Sequence, residues 1–142
     1  MKDRPIIVHS LKDAQAALDV AAELGLPITL RSAPGAARYL GASVFREMIA
    51  EACGQYPDLA VTSVFDCGDD PGLALGALRD GLKVIRLNVS GDALDRIADI
   101  AAETSARVEA AGKDEGEEGP VLDLLDLDDP EAALRTWLTD DG

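Results

Sequence analysis

Histidine is almost missing from this 142-residue chain, His9 being the only one. A serine-histidine-acid relay cannot form in its usual way around a single imidazole, and no phosphate loop of the GxxxxGKS type is present. Hydrolase and nucleotidase readings therefore have little support. Aromatic residues make up only 4% of the chain, against 47% hydrophobic residues in all. The core must then come from Ala, Leu, Ile and Val, a mixture suited to helices packed on a parallel sheet. The two cysteines, Cys53 and Cys67, stand far apart without CxxC spacing, which argues against a zinc knuckle or a redox pair. The opening MKDRPIIVHS holds too short an apolar run for a signal peptide or a membrane span, so a cytoplasmic location is expected.

Basic residues are scarce as well: 13 Lys and Arg face 27 Asp and Glu, for a formal net charge of −14. Phosphate backbones and anionic headgroups are gripped by Lys and Arg clusters, so nucleic-acid and membrane partners are not expected. The acidity is uneven. Residues 1–112 carry 16 acids and 11 bases, whereas 113–142 carry 11 acids and 2 bases. Solubility explains such an excess more simply than a recognition role for the tail.

What is present is alternation. Apolar runs of four to seven residues alternate with stretches of helical period, which predicts one α/β domain over residues 1–142 with a parallel sheet of about five βα units. Strands are expected at 5–8, 27–30, 59–65 and 82–89, and helices at 11–24, 42–53, 73–79 and 92–106. Gly25, Gly54 and Gly81 stand where helices should stop. Beyond Arg107 the pattern is weaker: VEAAG and VLDLLDL each suit a strand, and 113–120 reads as an acidic loop. An acidic strand and helix segment fills 121–142, with Asp129 and Pro130 as a helix start.

In parallel α/β folds, ligands bind where strands end and helices begin. Those exits hold His9 and Ser10; Ser32, Pro34 and Gly35; Asp66, Cys67, Gly68, Asp69 and Asp70; and Asn88, Ser90 and Gly91. Such loops also need small polar residues as turns and caps, and Ser32, Asp70 and Ser90 could be helix caps and nothing more. Asp66 stands apart, because it follows an apolar run directly and a cap would come later. An Asp beside a Cys can act as an acid or base, or offer oxygen and thiolate ligands to a metal. His9 alone on a strand exit is more often a hydrogen-bonded surface residue than a ligand.

Several segments, in the right order, resemble the class II fructose-bisphosphate and tagatose-bisphosphate aldolases. LKDAQAALDVAAELGLPITLRSAPGAARYLG at 11–41 resembles the family's opening helix, second strand and serine-glycine loop. YPDLAVTSVFDCGDDPGLALGALRDGLKVIRLNVSG at 56–91 is similar to the stretch bearing its Asp-His-Gly and Asp-Gly-Ser motifs. RVEAAGKDEGEEG at 107–119 looks like a shortened Val-Glu-Ala-Glu-Leu-Gly strand with its acidic loop, and DDPEAALRTWLTDDG at 128–142 is similar to the Asp-Pro-Glu-Glu-Ala helix.

The resemblance implies the N-terminal part of such a barrel only. In the family the aspartate of Asp-His-Gly transfers a proton and the histidine holds zinc. Asp66 keeps the first position, which makes it the candidate catalytic residue, and Cys67 takes the second, as a metal ligand only if zinc is bound. The other zinc histidines and the phosphate loops belong to a later half that lies beyond residue 142 in the family's order. Asn88 replaces the Asp of Asp-Gly-Ser, while Ser32 and Ser90 match the family's serines. The ligand-binding candidates are thus Ser32, Gly35, Gly68, Asn88, Ser90 and Gly91.

The leading expectation is a non-catalytic aldolase-like domain without a cofactor, which binds a small phosphorylated or carbonyl metabolite or serves protein interaction. The alternative is a zinc-dependent aldolase or lyase with its site assembled between subunits. Two architectures remain open, a partial TIM barrel and a flavodoxin-like open sheet. A partial barrel would leave unpaired edges and an apolar inner face, which predicts a homodimer.

Overall fold

The computed structural model describes residues 4–110 and 120–140. The acidic stretch 113–119, residues 111 and 112 of the VEAAG run, and the last two residues lie outside the described part.

Among the described residues six strands and five helices follow in order: β1 (Ile6–Ile7), α1 (Leu11–Leu24), β2 (Ile28–Arg31), α2 (Ala42–Cys53), β3 (Val61–Asp66), α3 (Pro71–Arg79), β4 (Val84–Leu87), α4 (Gly91–Glu103), β5 (Arg107–Ala110), β6 (Leu122–Asp123) and α5 (Pro130–Thr139). A short 3-10 helix, Ala36–Arg38, lies in the turn after β2. The helices start and stop for local reasons. Ser10 caps α1 by accepting from the Asp13 N–H, and Gly25 ends it at φ 67°, a conformation that costs a residue with a Cβ. Asp70 and Asp129 cap α3 and α5, each followed by a proline at the first turn.

All strand pairs are parallel, and the sheet order is β5-β4-β3-β2-β1-β6. From β1 to β5 each strand is laid beside its predecessor in one direction. Right-handed crossovers then put α1 to α4 on the same face. A flavodoxin-like sheet reverses direction beside its first strand and carries helices on both faces; this one does not. The winding is that of a barrel, with β6 returning to the free side of β1. Along the outside the helix layer runs α5-α1-α2-α3-α4.

The sheet has two unlike faces. Ile6, Val8, Leu30, Phe65, Cys67, Ile85 and Leu87 join the core under the helices, where Ala14, Ala17, Leu18 and Ala21 line α1. The small alanines let helix and sheet approach closely, and Phe45 stacks on Phe65 with centroids 5.1 Å apart. On the inner face, Ile7, Val64 and Val84 are also buried, as expected of a sheet curled round its own side chains. The inner face is not the apolar surface expected from the sequence. Arg31, Asp66 and Arg86 are buried on it, because alternation along β2, β3 and β4 turns these three away from the helices.

The acidic C-terminal segment is part of this body. Leu122 pairs with Ile6 and Asp123 with Ile7, and Leu134 of α5 is fully buried. Trp137 donates its indole N–H to the Arg4 carbonyl at 3.2 Å, while Arg4 donates to the Trp137 carbonyl at 2.7 Å. Arg135 forks onto Glu23 of α1 at 2.9 and 3.1 Å. No helix among the described residues is long and apolar enough to cross a membrane.

Candidate functional site at the strand exits

Asp66 ends β3, and its carboxylate ties the loops after β2 and β3 together. One oxygen, Oδ1, accepts from the backbone N–H of Gly35 and of Gly68, both at 2.9 Å. The other, Oδ2, lies 3.8 Å from Nε of Arg86. The Asp66 N–H in turn donates to Oγ of Ser32 at 2.8 Å. Gly35 and Gly68 sit at φ 68° and 62°, and a Cβ added to Gly68 would stand 3.6 Å from the Gly35 Cα. The loops after β2 and β3 therefore pack backbone on backbone, which glycine permits at both positions. Asn88 N–H closes the third side on the Gly68 carbonyl at 2.7 Å. Above this tie, Arg38 of the 3-10 helix reaches across to pair with Asp69.

Inside the sheet the carboxylate belongs to a charged row. The register aligns Asp66 with Arg86 and Arg86 with Glu109 across β3, β4 and β5. Nη1 of Arg86 is 3.5 Å from Oε1 of Glu109. A buried guanidinium needs such partners, since an uncompensated charge there is costly.

Cys67 follows Asp66 directly, so the pleat sends its thiol to the opposite face. It is fully buried in the helix-side core, with Sγ 3.8 Å from the Phe65 carbonyl. Burial, with the Asp66 and Asp70 carboxylates adding to it, pushes the thiol up to about 12. A sulfur buried on the opposite face from Asp66 does not fit a zinc ion shared by the two. Among the described residues no group of three His, Cys, Asp or Glu side chains could hold a metal ion.

The remaining candidates separate into ties and exposed groups. Ser32 is buried and caps nothing; its hydroxyl holds the Asp66 backbone. Asp70 is a cap, accepting from the Leu73 N–H at 3.2 Å. Ser90 occupies the cap position of α4 but makes no side-chain cap bond, and it stands exposed with Asn88 and Gly91 at the β4 exit. His9, at the β1 exit, bonds to Asp123 through Nε2 at 2.6 Å, and its N–H donates to Asp13 at 2.9 Å. Arg86 and Glu109 were not site candidates from the sequence. Arg86 sits inside an otherwise apolar run, and only the strand register reveals its partners.

The winding is that of part of a parallel-stranded barrel. No protein-family model matches this chain. Over 83 residues it is 29% identical to the fructose-bisphosphate aldolase of Xanthobacter flavus, a match covering 58% of this chain and 23% of that protein. The fructose-bisphosphate aldolase of a Nostoc species matches at 29% over 86 residues, 61% of this chain and 24% of that one. The aligned part is thus about a quarter of the curated relatives' length. Among solved structures, the YdjI aldolase from Escherichia coli K12 superposes with a TM-score of 0.63 at 17% identity, over 76% of this chain and 44% of that one. A Coccidioides immitis protein assigned as a fructose-1,6-biphosphate aldolase gives 0.61 at 22%, over 93% and 52%. The chain resembles part of the class II aldolases in sequence and has part of their fold.

Proposed function

We propose that this chain is a non-catalytic aldolase-like domain that works by binding at its strand exits. The observation that carries the reading is the occupation of Asp66. One oxygen accepts two backbone N–H bonds that hold the loops after β2 and β3, and the other faces Arg86. A general acid or base must present a free oxygen to its substrate, whereas here one oxygen is taken by two backbone N–H groups and the other is turned to the Arg86 guanidinium. The buried Cys67 thiol, turned to the helix side, supports the same reading.

The exposed exits offer binding chemistry instead: Asn88, Ser90 and Gly91 at the head of α4, with Arg38, paired to Asp69, against the adjoining Gly68 loop. Hydrogen-bond donors and one guanidinium suit a small phosphorylated or carbonyl metabolite. Fructose 1,6-bisphosphate is the first probe to use, with and without added zinc, read by calorimetry and by release of its cleavage products. Binding without cleavage in either condition is the expected result. Zinc-dependent cleavage that disappears in Asp66→Asn would overturn it in favour of a lyase assembled between subunits.

A further inference from the structure

We infer that the outer edge of β6, with the groove between it and α5, takes an extended segment of a partner chain in which basic and apolar residues alternate. This site lies apart from the strand exits, and it rests on three independent observations: a backbone edge, a groove and a charge.

The sheet ends at β6 among the described strands. Leu122 and Leu124 turn their backbone N–H groups inward, to Pro5 and Ile7 of the first strand and its approach. In a parallel pair the intervening residue points its N–H and C=O the other way. Those groups of Asp123 therefore point away from β1, while its side chain is taken by His9 and by the Leu125 N–H. An incoming strand joins an edge through outward donors and acceptors of this kind.

Beside that edge runs a groove lined by Leu122 and by Ala132, Ala133, Thr136, Trp137 and Asp140 of α5 and its end. The helix packs on α1 through its other side, where Leu134 is buried and Arg135 meets Glu23. Ala132 and Thr136 lie one turn apart on the side turned from α1, and both are exposed. Short side chains there leave room for a strand's side chains, and Trp137 and Leu122 give them an apolar floor.

Charge selects the occupant. Between 120 and 131 the chain carries Asp123, Asp126, Asp128, Asp129 and Glu131 and no base, while beside the groove stand Arg135, engaged with Glu23, and Arg4, which donates to the Trp137 carbonyl. A second copy of this chain would bring another −14 and the same acidic edge, so self-pairing there is opposed. A segment alternating Lys or Arg with Val or Leu places its apolar residues in the groove and its charges among these carboxylates.

The test is an NMR titration of the full-length, isotopically labelled chain with a synthetic capped peptide of alternating valine and lysine. A matching peptide of valine and glutamate serves as comparison. The expected result is shift changes centred on Val121, Asp123 and the Ala132–Thr136 side of α5, weakened by salt and absent with the glutamate peptide. Thr136→Lys, on an exposed site that does not threaten folding, should weaken binding by about tenfold, the scale of one like-charge contact. Absence of binding, equal binding of both peptides, or shifts centred elsewhere would overturn the inference. So would sedimentation showing a concentration-dependent dimer that protects the same amides, which would give the groove to a second copy.

Discussion

Asp66 does the work of a staple, and its removal should be felt in stability before anything else. In Asp66→Ala two backbone N–H groups lose their acceptor, and Arg86 loses the Asp66 carboxylate while keeping that of Glu109. A loss of about 3 kcal/mol in urea denaturation is expected, the size of orphaned donors plus a half-dismantled buried ion pair. Asp66→Asn retains an acceptor oxygen and should cost about half as much. Equal losses in the two variants would show that the charge matters and the acceptor does not. Cys67 gives a second prediction at this scale. Its folded-state value is raised to about 12, so the folded chain holds the thiol proton more tightly than the unfolded one. The associated stability is complete below about 9 and is lost as pH rises from there toward 12, by up to about 1.4 kcal/mol per pH unit. Alkaline denaturation of the protein, compared with Cys67→Ala, isolates that slope.

Among the elements, β6 and α5 are a strand and a helix as their sequences suggest, and only the pairing of β6 with β1 was not legible. The helix was legible, since Asp129, Pro130 and Glu131 announce its start, as were α1 and α2, whose predicted limits at 11–24 and 42–53 coincide with the observed ones. The α3 start falls two residues earlier than expected because Asp70, one of the polar loop residues, is its cap. Of the strand exits, the prominence of Asp66 could be read from its place at the end of an apolar run. Its actual role could not, because Gly35 is brought to it by tertiary contact alone. The row Asp66–Arg86–Glu109 was likewise invisible, since strand register is no property of any one segment. That the acidic tail pairs with the first strand follows from the same cause. Its structural role predicts that Leu134→Ala costs about 2–5 kcal/mol in thermal or urea unfolding, as for a fully buried leucine. Removing 121–142 should abolish cooperative unfolding altogether. A truncated chain that still melts cooperatively would mean that the tail merely decorates the core.

For the whole molecule, the feature that matters is an order of strands that runs unbroken from β1 to β5 and is completed by β6 at the other end. Each new βα unit finds its neighbour already in place, so most of the sheet is assembled from contacts close in sequence, the kind that form quickly. One pairing is different: Ile6 meets Leu122 and Ile7 meets Asp123. The outer side of β1 must wait until Leu122 and Asp123 have left the ribosome. Until then the first strand is an open edge, and a nascent chain carrying everything through α4 still offers it to any other strand. The tail is in this sense the protein's own chaperone, and its arrival ends the period in which the chain can aggregate through its beginning.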